Sequence, residues 1–372
     1  MEEITKKIIN NRHLRLGRRF KNLFRYYLWK RGAKKSWSDR HQKVFSLNSS
    51  YKRKCDTAIE YDHQKKWSSF RKKVDLNTLR ICKNISGYAD SRIIPEDIFV
   101  SDIEPSLMID KSVYLLSHKS FYNKWFPNGI FPEDIFHCIG GQYLDSDLNP
   151  ISIDGLEKMA KNLSYPVVMK PNWNSFGGKD IHFIESDKKL LDLCSRGNDF
   201  VVQKQIIQHD FFDKYNPIGL NTIRVYAYKS VKDDSCHIIN MALRMGKGGS
   251  LDNETAGGIH TFINQEGFLN NYAVDKYGSK YDKHPDTSYS FDEKIPEVDK
   301  LKKLAVKIAT QVYLTRIVGL DMCYDKEGNW RVIEVNTKGH TTRFSQYGGQ
   351  PFFGEFTDEV IEYCKLNHWA IN

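Results

Sequence analysis

Two apolar runs near the C-terminal end of the chain constrain its fold more than any other feature. VGLDMCYD (318–325) and RVIEVNTKGH (331–340) lie on either side of the segment KEGN. Short apolar runs on both sides of a glycine-containing turn predict a β-hairpin. If the chain reverses at the central Glu-Gly pair, Asp321 lies directly opposite Glu334, with the two Cβ atoms about 5 Å apart.

The hairpin places oxygen ligands on one patch of the sheet. Because side chains alternate along a strand, we predict that Val332, Glu334 and Asn336 share one face. Two carboxylates at this distance repel each other unless a cation lies between them. A small set of oxygen ligands suits Mg²⁺, which completes its octahedron with phosphates and water. An exposed hairpin with surface acids is the alternative interpretation.

The composition restricts the class of protein. The chain has 372 residues, 40% hydrophobic and 13% aromatic, which is enough to bury two or three domain cores. No apolar run approaches the roughly 20 residues that cross a bilayer, and the first residues do not read as a signal peptide. The seven cysteines are scattered and never spaced as CxxC, which predicts reduced thiols in the cytoplasm and no zinc site.

Positive charge is concentrated in residues 1–75, which hold 22 Lys and Arg against 7 Asp and Glu. Apolar residues at helical spacing in this segment predict a basic amphipathic helix: Phe20, Leu23, Phe24, Tyr27 and Leu28. Such a helix either lies on an anionic membrane surface or packs its apolar stripe against the rest of the protein. No nucleic-acid-reading motif accompanies the charge, so no specific nucleic-acid partner is expected.

From about residue 150 the sequence alternates between helical and strand patterns. ISIDGLEKMAKNL and LKKLAVKIATQVYL have helical periodicity, and Ser152 is positioned to cap the first of them. YPVVMKP, IHFIE and FVVQKQII are predicted strands, and TIRVYAYK with CHIINMALRM is a predicted hairpin. These patterns predict a mixed α/β (α+β) fold.

A lysine and a glycine-rich segment have the chemistry of a phosphate site. Lys170 ends a predicted strand, and NSFGG (174–178) links it to the next strand. Glycines allow backbone N–H groups to approach phosphate oxygens, and the lysine adds a compact positive charge. An ordinary glycine turn in a hairpin is the alternative. Arg224 and Arg244 lie on half-buried strands, where a guanidinium needs an anionic partner, either a carboxylate or a phosphate.

The order of these pieces resembles the ATP-grasp superfamily, and most closely its sugar-transfer-associated family, which is related to α-L-glutamate ligases. The resemblance extends over residues 80–360. Its marks, in chain order, are IPEDIF, EPSL, SHKSFYNKWFP, GGQYLDSD, KPNWNSFGGKDI, VVQKQIIQH, NTIRV, ALRMGKGGSLDN followed by AGG, GLDM and IEVN. The resemblance implies an ATP-grasp fold that follows a basic, helical N-terminal segment.

On this basis we divide the chain into four parts. Residues 1–75 form the basic, mainly helical N-terminal segment, and residues 76–150 the N-terminal part of the ATP-grasp module. Residues 151–210 form a central subdomain with the lysine and the glycine loop. Residues 211–372 form a C-terminal catalytic subdomain that binds ATP and magnesium.

The resemblance also implies roles for individual residues. The predicted metal ligands are Asp321, Glu334 and Asn336. The predicted catalytic residues are Arg224, Arg244 and Arg343. The predicted nucleotide-binding residues are Lys119, Lys170, Ser175, Gly177, Gly178, Gln203, Lys204, Ile206, His209, Asp210, Arg244 and Asn336. In this set, the resemblance implies that the lysines contact the ATP phosphates and that the glycines belong to a loop that covers them. The strand that contains Gln203, Lys204 and Ile206 would hold the adenine through its backbone, with His209 or Asp210 near the ribose.

The implied activity is that of an ATP-dependent ligase with two Mg²⁺ ions, which activates a carboxylate as an acyl phosphate for attack by an amine. The expected substrates are a small-molecule or glycan carboxylate and an amine, joined during capsule or surface-polysaccharide assembly. An ATP-dependent kinase and a non-catalytic, nucleotide-binding scaffold at the membrane surface are the alternatives. We expect a cytoplasmic protein with peripheral contact to the anionic inner face of a membrane, and the sequence does not fix its oligomeric state.

Overall fold

The computed structural model describes residues 2–126, 129–173 and 180–371. Within these ranges the strands form two antiparallel sheets, one of five strands and one of seven. Helices precede the sheets and pack on them. The predicted mixed α/β (α+β) fold is therefore confirmed.

The N-terminal part of the chain is helical, as predicted. Its helices are α1 (Glu3–Asn10), α2 (Leu16–Leu47), α3 (Thr57–Trp67), α4 (Asn77–Ser86), α5 (Glu96–Ile98), α6 (Glu104–Leu107) and α7 (Tyr122–Trp125). The segment Phe99–Ile103 joins α5 to α6 as a turn of π-helix. With 32 residues, α2 is about 48 Å long and is the longest of these helices.

A buried polar cluster attaches α2 to the rest of the protein. The Tyr26 hydroxyl donates a hydrogen bond of 2.7 Å to Asp102, in the π-helical turn. Asp102 also pairs with Arg71 at 2.8 Å and with His368 near the C-terminal end at 3.1 Å. Burial alone would raise the pKa of the Asp102 carboxyl, but Arg71 and its other partners lower it to about 2. The carboxylate therefore stays ionised and holds three distant segments together.

The other side of α2 faces solvent. Phe20, Phe24, Tyr27 and Leu28 are 49% to 63% exposed, whereas Leu23 is partly buried against a core that includes Tyr26. The interpretation in which the apolar stripe packs against the body is therefore wrong for four of its five residues. The helix uses a different face for packing, the face that carries Asn22, Tyr26, Ala33 and His41.

The smaller sheet has the strand order β2-β1-β5-β3-β4. Its strands are β1 (Asp134–Ile139), β2 (Gln142–Asp145), β3 (Val167–Pro171), β4 (His182–Ile184) and β5 (Phe200–Lys204). Helices α8 (Ile153–Lys161) and α9 (Asp187–Cys194) bury leucines in the core of this sheet. Ser152 caps α8 as predicted, because its hydroxyl accepts a hydrogen bond of 3.1 Å from the Gly155 N–H.

The smaller sheet includes strands from both sides of residue 150, where we placed a domain boundary. The four-part division of the chain stays a prediction.

The larger sheet has the strand order β10-β9-β8-β7-β6-β11-β12 and follows the short helix α10 (Asp210–Asp213). Its strands are β6 (Thr222–Lys229), β7 (Cys236–Met245), β8 (Ile259–Ile263), β9 (Ala273–Val274), β10 (Lys280–Tyr281), β11 (Ile317–Tyr324) and β12 (Trp330–Asn336). The two predicted hairpins, β6 with β7 and β11 with β12, are both present.

Helices cover both faces of the larger sheet. The predicted helix α11 (Val298–Ala309) packs Leu301, Ala305 and Ile308 into a core with residues of β6, β7 and β11. Helix α13 (Thr357–Leu366) packs Val360 and Ile361 into a second core that contains the large tyrosines of β6. The short helix α12 (Arg343–Gln346) lies between them in the sequence and contacts β7 and β8.

A bulge in the last hairpin changes the predicted arrangement of its faces. Asp321 pairs with Glu334 as predicted, but Leu320 pairs with Val335 while Met322 pairs with Val332. Leu320 and Met322 point to the same face, so Val335 and Val332 do so too, and all four residues lie in one core cluster. The prediction that Val332 shares a face with Glu334 is therefore wrong. An extra residue in β12 lets both valines be buried while Glu334 points elsewhere.

In the part of the chain that the structure describes, no helix is both long enough and apolar enough to span a membrane.

The polar cluster that attaches α2 gives a test of this architecture. Tyr26→Phe removes a buried hydrogen bond to a carboxylate, so we expect it to lower the free energy of unfolding by roughly 1–3 kcal/mol, measured by urea denaturation. Tyr27→Phe is the matched control: Tyr27 is the next residue on the same helix, is exposed, and should change stability by less than about 0.5 kcal/mol. Equal effects of the two substitutions would show that the Tyr26–Asp102 contact contributes nothing.

Candidate active site

A cleft of about 590 Å³ is lined by residues of both sheets. It brings together residues that are far apart in the sequence but were predicted to act at one site. Those that line it are Lys119, Lys170, Lys204, Ile206, Arg224, Arg244, Asp321, Glu334, Asn336 and Arg343. The cleft is therefore the candidate active site.

Asp321 lies at the centre of three adjacent strands. Its partners across the sheet are Glu334 on β12 and Arg224 on β6. The Arg224 guanidinium binds both oxygens of the Asp321 carboxylate, with Nη2 to Oδ2 at 3.0 Å, and Arg244 Nη1 lies 3.0 Å from Oδ2. Burial alone would raise the pKa of Asp321, but the two guanidinium groups outweigh burial and lower it below its ordinary value. The two arginines thus keep Asp321 ionised in the wall of the cleft.

Glu334 has a positive partner of its own. Lys119 Nζ lies 2.7 Å from Glu334 Oε1, and the Lys119 side chain is almost fully buried. Lys119 begins a short 3₁₀ turn that leads into α7, so a segment outside both sheets supplies this cation. The two neighbouring carboxylates can coexist because each is matched by its own cations.

Lys170 lies at the end of β3 and faces the same cleft. Burial, together with the nearby positive charge of Lys119, lowers the pKa of its ammonium group to about 8. The charged form of Lys170 is therefore less stable in this cleft than it would be in water. A phosphate that entered the cleft would supply an anionic partner and stabilise the charged form.

Asn336 lies two residues beyond Glu334, opposite Gly319 of β11. Its amide nitrogen is buried and has no hydrogen-bond partner among the described residues. Those residues also contain no cluster of three or more His, Cys, Asp or Glu side chains that could hold a metal ion. The oxygen donors of the predicted metal site are therefore two carboxylates and one amide.

Arg343 belongs to a second group of ion pairs at the edge of the cleft. Its guanidinium lies 2.5 Å from Glu254 and 3.5 Å from Glu96, and it is almost fully buried. Burial alone would raise the pKa of Glu254, but Arg343 lowers it to about 2. Arg343 therefore reaches the cleft with its charge already offset by two carboxylates.

Sequence reasoning missed the acids of the segment SLDNET. Asp252 accepts a hydrogen bond of 3.1 Å from Arg244, and Glu254 pairs with Arg343. Both acids follow the strand that ends just after Arg244, inside a stretch that supports the family resemblance. The signal that could have found them is the charge pattern itself, since buried arginines need acids nearby and these are the next ones in the chain.

Only some of the residues predicted to hold the adenine and ribose line the cleft. Lys204 and Ile206 line the cleft, and Lys204 pairs with Glu133 at 2.8 Å. Gln203 is buried and donates a hydrogen bond of 2.8 Å to Asp134, so its side chain is not part of the cleft wall. His209 does not line the cleft either, and its ring nitrogen accepts a hydrogen bond from the Phe211 N–H at the start of α10.

Four more residues complete the predicted set. Asp210 is the first residue of α10 and is not part of the cleft wall, although Asp213 at the end of that helix is. Ser175, Gly177 and Gly178 lie outside the described residues.

Residues 188–355 match the family model described as sugar-transfer associated ATP-grasp. This segment, which is less than half of the chain, is similar to that family. It contains the whole larger sheet and the three arginines, and it ends before α13. Lys119 and Lys170 lie before the matched segment. No curated protein matches the chain.

Several solved structures share part of the fold at low sequence identity. The biotin carboxylase domain of Hydrogenobacter thermophilus 2-oxoglutarate carboxylase, with MgADP, ADP and bicarbonate, is 13% identical with a TM-score of 0.42, over 68% of this chain and 46% of that one. N5-carboxyaminoimidazole synthase from Aspergillus clavatus, with ADP and its ribonucleotide, is 10% identical with a TM-score of 0.38, over 65% and 52%.

The ATP-grasp ligase PsnB, with minimal precursor, Mg and ADP, is 13% identical with a TM-score of 0.41. The aligned part covers 69% of this chain and 62% of PsnB. This chain thus spans about half the length of the first two structures and somewhat more of PsnB.

The position of Lys170 predicts a role in nucleotide binding. Lys170→Ala removes a charge-assisted contact to phosphate, so we expect ATP affinity to fall by roughly 1.5–3 kcal/mol, measured by titration calorimetry. Lys161→Ala, an exposed lysine at the end of α8, is the matched control and should leave the affinity unchanged. If Lys170→Ala bound ATP as tightly as the wild type, Lys170 would not contact the nucleotide.

The lowered pKa of Lys170 also predicts that nucleotide binding depends on pH. Below about pH 8 the side chain is already a cation, whereas above it the neutral form predominates. Phosphate oxygens favour the cation, so ATP binding at about pH 9 should take up most of one proton, and binding at about pH 7 far less. Calorimetry in two buffers of different ionisation enthalpy measures this uptake. Lys170→Arg stays charged at both pH values and should abolish the difference; equal uptake in both proteins would contradict the assignment.

Proposed function

We propose that this chain is an ATP-dependent carboxylate–amine ligase, which forms an amide through an acyl phosphate and releases ADP. The observation that carries the proposal is the pairing of Asp321 with Glu334 at the floor of a cleft that also receives Lys119 and Lys170. Two adjacent carboxylates with lysines facing them suit a metal-bound triphosphate. The family of the matched segment supports this interpretation.

The donor set fits magnesium. Asp321 is held in its ionised form, as a metal ligand must be, and Glu334 remains partly exposed to the cleft. The buried amide nitrogen of Asn336 has no hydrogen-bond partner among the described residues. No such bond therefore fixes the orientation of the amide, and its oxygen can be turned towards a cation. Asp321, Glu334 and Asn336 would hold the ions. When bound, Mg²⁺ supplies Lewis-acid chemistry and offsets charge on the phosphates.

The cations of the chain complete the phosphate site in this proposal. Lys119 and Lys170 approach the cleft from the side of the smaller sheet and bind phosphate oxygens. Arg244 and Arg224, fixed by Asp321, offset the negative charge that builds up during phosphoryl transfer. Because their carboxylate partners hold them in place, the guanidinium groups need little reorganisation when the substrate binds.

Arg343 is placed differently from the other two arginines. It lies beside Glu254 and Glu96 rather than beside Asp321. Because Arg343 lines the cleft away from Asp321, we assign it to the carboxylate substrate, which would share the guanidinium with Glu254 and Glu96. The substrates that we propose are an amino acid and a sugar acid or amino sugar, joined during assembly of a capsule or surface polysaccharide. The name of the matched family supports the sugar.

Removing the charge of Glu334 tests the metal site. Glu334→Gln nearly preserves the volume of the side chain but removes a metal ligand, so we expect Mg²⁺-dependent ADP formation to be lost while the fold is kept. Glu362→Gln, on the exposed side of α13, is the matched control and should keep full activity. Full turnover by Glu334→Gln would contradict the assignment of the metal site to this hairpin.

A substrate screen distinguishes a ligase from a kinase. Amino acids are tested in pairs with sugar acids and amino sugars, with ADP and free phosphate measured separately and the product identified by mass. A ligase releases phosphate only when both substrates are present, because the acyl phosphate persists until an amine attacks it. A kinase releases ADP with one substrate and leaves the phosphate on the product. ADP release that needs no second substrate and gives a phosphorylated product would favour the kinase.

A further inference from the structure

Helix α2 has an apolar face that the described part of the protein does not cover. Leu16, Phe20, Phe24 and Tyr27 are all more than half exposed. Their spacing of four, four and three residues places them on one side of the helix. The buried residues of α2, such as Tyr26 and Ala33, lie on a different side, so packing in the protein leaves this stripe in solvent.

The charged residues nearest the exposed stripe in the sequence are all cations, and one of them, Lys30, pairs with Glu2, just before α1. Residues 4–38 contain 12 Lys and Arg and no Asp or Glu. Exposed cations lie beside the apolar residues on the same helix, and they include Lys21, Arg31, Lys34 and Lys35. An apolar stripe bordered by cations, with no acid near it in the sequence, is suited to a surface that is both negatively charged and apolar beneath its charge.

A groove beside the stripe extends the apolar surface. It has a volume of about 420 Å³ and lies where α1 meets α2. Its walls are mainly apolar, and Lys30 is its charged residue. The residues that line it are Thr5, Phe20, Leu23, Phe24, Tyr26, Tyr27 and Lys30.

We propose that this face of α2 docks the protein on an anionic lipid bilayer. The cations would contact lipid headgroups, while Phe20, Phe24 and Tyr27 insert at the boundary between headgroups and acyl chains. Nucleic acid or an acidic protein would pair with the positive charge. Neither would account for the exposed aliphatic residues Leu16 and Leu28 on the same side of the helix. A bilayer satisfies both features of the surface.

The docking helix is also part of the wall that supports the candidate active site. His41, near the C-terminal end of α2, lies 3.3 Å from Glu96, which in turn lies 3.5 Å from Arg343. The Trp37 ring lies 5.4 Å from the Arg343 guanidinium. A bilayer bound at Phe20 and Phe24 is thus about four to six helical turns from Trp37 and His41. Docking would hold the cleft near substrates that are attached to the membrane.

Vesicle sedimentation with the full-length protein tests the proposal. The probes are phosphatidylcholine vesicles with and without phosphatidylglycerol, at low and high salt. We expect sedimentation with the anionic vesicles only, weakened but not abolished by salt because the apolar contact is not screened. The double substitution of Phe20 and Phe24 by Ser should lower vesicle affinity roughly tenfold or more, as should reversal of Lys21 and Arg31 to Glu.

Two controls show whether a loss of sedimentation is specific to this face of α2. Phe268→Ser changes another exposed phenylalanine, in the segment that follows β8, and should not alter sedimentation. Thermal unfolding confirms that each variant is folded. The proposal is overturned if the intact protein does not sediment with anionic vesicles at low salt, or if the double Phe variant binds them as tightly as the wild type. Binding of single-stranded DNA or polyglutamate in preference to the vesicles would overturn it as well.

Discussion

The pairing of Asp321 with two arginines determines how the candidate active site is built. A buried carboxylate on β11, the second strand from one edge of the larger sheet, cannot remain ionised without cations, and Arg224 and Arg244 provide them from the next two strands. The two arginines are held in turn, because Arg244 also binds Asp252 and Arg224 also contacts the Tyr226 hydroxyl. Removing Asp321 would leave the buried Arg224 guanidinium without a carboxylate and Arg244 with Asp252 alone, and an uncompensated buried charge costs more than the pair itself contributes.

The bulge in β12 separates the residues that face the cleft from those that face the core. Leu320, Met322, Val332 and Val335 belong to the core, whereas Asp321, Glu334 and Asn336 line the cleft. Strict alternation would have turned Val332 towards the cleft. With one extra residue in β12, the strand buries both valines in the core and still presents two oxygen ligands on the other side.

Much of the fold could be predicted from the sequence, and the reasons differ between elements. The register of Asp321 with Glu334 follows from the position of one turn, so local information was sufficient. The bulge could not be predicted from the sequence, because a single inserted residue leaves the apolar pattern of a short strand almost unchanged. The buried face of α2 could not be predicted from the sequence either, because both faces of the helix contain aromatic residues. Which aromatic side chain is buried depends on tertiary contacts with the rest of the protein. Tyr26 is buried by its contact with Asp102, which lies 76 residues away in the chain.

The candidate site was predictable in its cations and in the acids of its last hairpin, but not in its internal ion pairs. Lysines and arginines in apolar strands are conspicuous, whereas Asp252, Glu254 and Glu96 lie in segments without a strong pattern and become partners only through tertiary contacts. The adenine-side predictions came from the family resemblance and concern the backbone of β5, so they stay predictions, whereas the Gln203 side chain is bound to Asp134. The sequence thus predicted which residues carry charge, but not which of those charges offset one another.

The balance of these charges bears on how a nucleotide could bind. Among the described residues that line the cleft, seven Lys and Arg side chains face five Asp and Glu. Five of these seven cations already lie in ion pairs within the protein: Lys119, Lys204, Arg224, Arg244 and Arg343. A triphosphate brings several negative charges, more than the small surplus of cations can offset. In the proposed function, divalent cations supply the difference, and Asp321, Glu334 and Asn336 would hold them. Under the same proposal, the two arginines that lower the pKa of Asp321 also keep one of the metal ligands ionised.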